Sequence, residues 1–261
     1  MTNALLIIDT QFDFCHPDGA LFVPGAERDV ERMASLIRQQ VNRIDHVVVT
    51  LDTHQLLDIA HPLFWRDADG EHPAPFTRVT ANDVETGRWV PQFFPDKARQ
   101  YIRDLEADGQ FEHFIWPEHC LIGSRGAALH DTLLDALTYW SRQRERDYVA
   151  VQKGLYPPTE HFGIFRAQAP DPAVPETQLN TVLIADLNRF DTIYLMGEAK
   201  SHCVANSLKQ LLNFAPTLVP KIVVVTDCMS NVMGLGYLAD SIYQEARTRN
   251  VRFMESGAIF S

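Results

Sequence analysis

The chain has 261 residues, of which 46% are hydrophobic and 22% charged, the composition of a soluble globular protein with one large domain or two small ones. A formal net charge of −11, with no basic cluster to offset it, argues against a nucleic-acid partner and against an anionic membrane surface. The apolar runs are too short to span a bilayer, and the N-terminus MTNALLIIDT lacks the basic region of a signal peptide, so a cytoplasmic location is expected.

The first predicted strand, Ala4–Ile8, ends at Asp9. A helical pattern over Ala26–Asn42 follows, then a strand over His46–Leu51 that runs into Asp52-Thr53-His54. Residues from about 55 to 117 interrupt the pattern, being rich in Pro, Asp, His and aromatics with little periodicity. Such a stretch reads as a functional loop or lid, with a short helix over Lys97–Ala107 inside it. Beyond it come a helix over Ser124–Arg144 and a strand over Tyr148–Val151 leading to Lys153-Gly154. A proline-rich loop, Ala167–Pro175, precedes a helix over Thr177–Asn188. Next, the strand Thr192–Met196 feeds a Gly197 turn and a helix over Cys203–Asn213. The strand Ile222–Thr226, a helix over Gly236–Asn250 and the strand Val251–Met254 complete the chain. In that last helix Leu238, Ile242 and Ala246 recur on one face.

Strands alternating with helices predict an α/β fold, a doubly wound six-stranded and mostly parallel sheet with helices on both faces. With no linker between independent cores, residues 1–261 read as a single domain carrying the insertion at about 55–117.

Doubly wound sheets bind ligands at the C-terminal edges of their strands. Four such edges carry Asp9, the Asp52/His54 pair, Lys153 and Cys203. A cysteine at a helix N-terminus beside an ammonium is favoured as thiolate. Cys203 with Lys153 fits that description, Asp9 can shuttle the proton, and the backbone amides of the Ala199–Cys203 turn can hold an oxyanion. This chemistry is acyl transfer through a thioester, and amide hydrolysis in particular. His202 is a poor base for its neighbour, since adjacent helical residues do not face each other.

Asp52 and His54 lie two apart at a strand end and so share a face. With an imidazole from WPEHC, His119, they form a carboxylate-plus-two-His set suited to zinc, iron or manganese. His61 is a candidate further ligand, whereas His72 and His113 read as loop residues. Cys15, Cys120 and Cys228 form no C-x-x-C pair and read as buried free thiols, and Glu160 as at most an outer partner of the metal set.

These motifs resemble the isochorismatase-like cysteine hydrolase superfamily, and within it the nicotinamidase branch. The resemblance rests on ALLIIDTQFDF with Asp9, DTH with Asp52 and His54, WPEHC with His119, VQKG with Lys153, GEAKSHCV with Cys203, and EHFGIF after the lysine. It implies hydrolysis of nicotinamide, or of a close N-heteroaryl carboxamide, with Asp9 as base and one divalent metal ion, zinc before iron or manganese, holding the ring nitrogen. It further implies a substrate ring sandwiched by Phe14 and Trp116, an oxyanion hole from the amides of Ala199 and Cys203, and a cis peptide between Glu198 and Ala199. A small-molecule amide is the expected partner, in a chain that can form homo-oligomers. Lys200-Ser201, the displaced His61 and the long 55–117 segment depart from the family pattern. Two other readings use the same fold: a metal-free hydrolase of a carbamoyl group or an isochorismate-like vinyl ether, and a non-catalytic binding protein.

Overall fold

In the computed structural model, which describes residues 1–109 and 112–260, the first strand is apolar on both sides. Ala4, Leu6 and Ile8 enter one hydrophobic core, while Leu5 and Ile7 enter another. A strand buried on both faces belongs in the middle of a parallel sheet, and that is where it lies. The strands are β1 (Asn3–Ile8), β2 (His46–Asp52), β3 (Val149–Lys153), β4 (Thr192–Gly197), β5 (Ile222–Val225) and β6 (Arg252–Met254). They pair in the order β6-β5-β4-β1-β2-β3, and every pairing is parallel. The order reverses between β1 and β4, the switch point beside which such sheets open a binding crevice.

The helices are α1 (Phe12–Cys15), α2 (Ala26–Gln39), α3 (Ala81–Glu85), α4 (Pro95–Asp108), α5 (Asp131–Arg144), α6 (Thr181–Leu187), α7 (Ala205–Phe214) and α8 (Asp240–Thr248). On one face, Val30, Met33 and Ile37 of α2 and Leu133, Leu137 and Trp140 of α5 cover Leu5 and Ile7. On the other, Leu187, Leu208, Leu211 and Ile242 from α6, α7 and α8 cover Leu6 and Ile8.

Several boundaries differ from the periodicity. The helix expected from Ser124 begins at Asp131, where the His130 ring accepts from the Thr132 amide at 3.3 Å. The helix expected from Thr177 starts at Thr181, with Asn180 Oδ1 accepting from the Leu183 amide at 3.0 Å. Gly236–Ala239 forms a 3₁₀ turn ahead of α8. The insertion is more ordered than its composition suggests. It holds α3, α4 and two antiparallel ribbons, Trp65–Arg66 with Val90–Pro91 and Arg78–Val79 with His113–Phe114. Ala98, Tyr101, Ile102 and Leu105 of α4 are part of the core over Leu6 and Ile8. Residue His113, expected in a loop, is buried against Tyr101 and the Ile59 carbonyl.

At the switch point Gly197 has φ 114, and a Cβ there would run into the Ile8 backbone. Gly197→Ala is therefore expected to lose about 3 kcal/mol or more in urea unfolding, combining left-handed backbone with overpacking. A loss below about 1 kcal/mol would show that the two strands can part without penalty.

Candidate active site

Lys153 closes β3 as the register partner of Asp52, the last residue of β2. Its buried Nζ lies 3.0 Å from Asp9 Oδ2 and 2.9 Å from Asp52 Oδ1, and donates to Cys203 Sγ at 3.7 Å. Asp9, just past β1, is in left-handed backbone with φ 43. Thr50 holds it there: the Asp9 amide donates to Thr50 Oγ1 at 3.0 Å, and that hydroxyl donates to Asp9 Oδ1 at 2.6 Å. Cys203 is not on an α-helix N-terminus. Lys200–Val204 forms a π-helical turn ahead of α7, and the Ala199 carbonyl accepts from the amides of His202 and Val204. The peptide between Glu198 and Ala199 is cis.

The second oxygen of Asp52 faces the imidazoles. Asp52 Oδ2 lies 3.2 Å from His54 Nε2 and 3.9 Å from His119 Nε2. Donor atoms of Asp52, His54 and His119 all fall within 4.8 Å of one another. The buried His54 ring lies between two carboxylates without an aligned hydrogen bond to either, and a cation on Nε2, beside Asp52 Oδ2, would suit that arrangement. Its Nδ1 is 3.1 Å from Asp58 Oδ2. Asp52, His54 and His119 therefore fit a metal ion. The donor set forms without His61, whose Nδ1 faces the Gln55 carbonyl at 3.1 Å and whose Nε2 accepts the His119 amide at 3.5 Å. Asp9, Asp52 and Cys203 also bring donor atoms within 4.8 Å, but the Lys153 ammonium touches all three, so that space is not a cation site.

Backbone clamps fix these side chains. Gln11 pairs with Asp52 as a strand would, its Oε1 accepting the Asp52 amide and its Nε2 donating to the Asp52 carbonyl, both at 2.7 Å. Asp13 Oδ2 accepts the Cys120 amide at 2.7 Å, and the Cys120 carbonyl accepts the His54 amide at 3.0 Å. The segment carrying His119 is thus tied to both α1 and β2.

A pocket opens over Cys203, walled by Phe14, Leu21, Trp116, Phe162 and Val232, with Asp52, His119, Glu160 and His202 as its polar lining. Phe14 meets the His119 ring edge-on at 5.4 Å, and Trp116 meets His202 at 5.3 Å. Burial lowers His202 to about 4, so its imidazole is a neutral wall. Burial also lifts Glu160 to about 8, so its carboxyl is largely protonated at neutral pH and can donate into the pocket. Burial, with the nearby His54, lowers His119 to about 3, leaving it the neutral form that a metal requires.

Electrostatics revise the expected thiolate. Burial pushes the Cys203 thiol well up, and Lys153 only opposes this, so the resting sulfur keeps its proton. Asp9 is also raised, by burial and then by Asp52, against the pull of Lys153. A carboxylate made more basic in this way is a competent acceptor for that proton. Burial works against the Lys153 charge, but Asp52 and Asp9 outweigh it and hold the ammonium firmly protonated.

No family model matches the chain. The nicotinamidase of Saccharomyces cerevisiae is 22% identical over 253 residues, covering 97% of this chain and 99% of the yeast protein. The solved structure of that yeast nicotinamidase, bound to the inhibitor nicotinaldehyde, superposes with a TM-score of 0.65 at 19% identity over 97% of this chain and 100% of its own. The chain is thus similar to the yeast nicotinamidase along nearly its whole length and shares the fold of its solved structure. The pyrazinamidase of Pyrococcus horikoshii, solved in complex with zinc, has a TM-score of 0.56 at 17% identity, covering 98% of this chain and 99% of its own.

In this chain the strand ends bring together Asp9, Lys153 and Cys203 at one rim, and Asp52, His54 and His119 beside them. Phe14 and Trp116 both reach the pocket wall. Sequence reasoning missed Gln11, Asp13 and Asp58, and undervalued Glu160. The first two lie in the same TQFDF run as the site's base candidate, and that proximity was the available signal. Among the described residues no helix is long and apolar enough to cross a membrane.

Proposed function

We propose that the chain is an amidohydrolase that converts nicotinamide, or a close N-heteroaryl carboxamide, to the carboxylic acid and ammonia through a thioester on Cys203. The contact of one lysine with both carboxylates and the thiol, at the floor of an aromatic pocket, carries this reading. Phe14 and Trp116 would flank the substrate ring. Asp9 takes the thiol proton as sulfur attacks the carboxamide carbon, and amides of Ala199 and Cys203 receive the oxyanion. Asp9 returns the proton to the departing nitrogen and ammonia leaves. A water molecule, deprotonated by Asp9, then attacks the thioester, releasing the acid and restoring the thiol. Lys153 keeps its charge throughout and balances the ionised carboxylates. Asp52, His54 and His119 would hold one divalent ion, zinc before iron or manganese, which would supply a Lewis acid for the ring nitrogen. Such an enzyme would serve pyridine-nucleotide salvage in the cytoplasm.

The test is ammonia release by metal-replete protein, with nicotinamide and pyrazinamide set against N-carbamoyl compounds. Turnover of the heteroaryl amides is expected to dominate. Hydrolysis of the carbamoyl compounds alone, unaffected by chelator, would overturn this reading in favour of the metal-free one.

A further inference from the structure

The turn that presents Ala199 and Cys203 is laced to the loop following β5. The Gly197 amide donates to the Cys228 carbonyl at 2.9 Å and the Lys200 amide to the Ser230 carbonyl at 2.7 Å. The Val232 amide donates to Ser201 Oγ at 3.0 Å, and the Tyr243 hydroxyl donates to the Lys200 carbonyl at 2.8 Å. The Ser230 amide donates to Glu198 Oε2 at 3.1 Å, which ties the Glu198 side chain into the same lattice. Glu198 is wholly buried, although ionisable side chains are rarely found there unpaired. No donor among the described residues is aligned on its Oε1. Its neighbour is another acid, Asp29 in the first turn of α2: the two carboxyls share Ser230, whose amide donates to Glu198 and whose hydroxyl donates to Asp29.

Two carboxyl groups can share a hydrogen bond only if one keeps its proton. The neighbours decide which. Arg32 Nη1 lies 3.0 Å from Asp29 Oδ1, and Ser230 Oγ donates to Asp29 Oδ2 at 2.5 Å. Both contacts favour Asp29 as the anion, which leaves Glu198 as the acid. We propose that Glu198 and Asp29 hold one proton between them, and that this proton fixes the turn on which the nucleophile sits. Glu198 is a positioning residue in this scheme. The inference concerns the stiffness of the turn and does not depend on which amide is cleaved.

The surroundings support the assignment. Glu27 of α2 adds negative charge near both acids, and Arg32 is the cation acting on Asp29. From the β5 loop, Asp227 faces Cys228. The buried Cys15 thiol and the Tyr243 phenol feel the Glu198 carboxyl, and the Lys200 ammonium sits 5.7 Å from the centre of the Tyr243 ring. Burial first, and the Asp29 charge second, raise Glu198 well above the usual carboxylate range. An acid so raised stabilises the fold fully only below its unfolded value, about 4.3. That contribution is lost as pH rises toward and through the native value.

Wild type, Glu198→Gln and Glu198→Ala separate the outcomes. Glutamine keeps a donor toward Asp29 but has no proton to lose. Expected is a wild-type thermal midpoint that declines toward alkaline pH, a smaller decline in Glu198→Gln, and a protonated-carboxyl infrared band in wild type at pH 8 that the Gln variant lacks. Hydrogen–deuterium exchange of segment 197–204, corrected for intrinsic pH dependence, should be about tenfold faster in Glu198→Ala, as for one lost buried hydrogen bond, and restored in Glu198→Gln. Parallel midpoint curves for wild type and Glu198→Gln, or an unchanged infrared band, would overturn the shared proton. Wild-type exchange in Glu198→Ala would overturn its hold on the turn. Should that variant not fold, wild type and Glu198→Gln still decide. All these readouts work without turnover, so failure of the amidase reading would show separately, as wild-type protein that releases no ammonia.

Discussion

Cys203→Ala is expected to lower the rate of ammonia release by at least about 10⁴-fold, the scale on which removal of a nucleophile acts. The reason is geometric. Lys153 touches both carboxylates and the sulfur, and Cys203, the nucleophile in the proposed reaction, lines the aromatic pocket. Cys203→Ser should not rescue turnover, because Asp9 must then deprotonate a far weaker acid. The same substitutions should leave the metal content unchanged, since Asp52, His54 and His119 form their donor set without sulfur. Stability should shift by no more than about 1 kcal/mol, as only a small buried side chain is trimmed. Activity in Cys203→Ala within tenfold of wild type, measured with the same metal content, would remove the thioester from the mechanism.

The sheet was legible because each strand is a short β-rich run followed by a glycine, a carboxylate or a lysine. The alternation of Leu5 and Ile7 against Leu6 and Ile8 marks a strand covered on both sides, which topology alone then places in the centre. Strand ends also carry the reactive residues to one edge, so their proximity could be anticipated from chain order. Side chains that bind distant backbone could not. Gln11 grips the Asp52 peptide across two strands, and Asp13 grips the Cys120 amide, with nothing in local periodicity to mark either. The π-helical turn at Lys200–Val204 was read as an ordinary helix start, because one extra residue in a turn leaves the apolar spacing of α7 intact. The insertion read as loop because its apolar residues are spread over two-residue strands and short helices. Only α4 is long enough to show a stripe. Glu198 is legible only as the first residue of the cis peptide; its buried carboxyl is not, because the acid beside it, Asp29, comes from a distant part of the chain.

Asp52 is the residue whose replacement should do most damage at once. Its two oxygens serve different masters: Oδ1 lies 2.9 Å from the Lys153 ammonium, and Oδ2 lies 3.2 Å from His54 Nε2. Asp52→Ala leaves Lys153 buried with Asp9 as its remaining ionic partner, and a loss of about 3–5 kcal/mol is expected in urea unfolding. Asp52→Asn keeps the shape and one acceptor, so it should lose less stability while still giving up the anionic ligand. Bound metal in Asp52→Asn should fall at least about tenfold at fixed free metal, by analogy with changes around other metal ligands. His119→Ala separates the two roles, since it should lose metal in the same way while leaving the contacts of Lys153 with Asp9, Asp52 and Cys203 in place. Ammonia release should then follow the metal in His119→Ala, and should be lower still in Asp52→Ala, where the lysine is also unbalanced. If Asp52→Ala instead unfolds at the same urea concentration as His119→Ala and binds metal like wild type, the carboxylate bridges nothing, and the two constellations must be treated as independent neighbours.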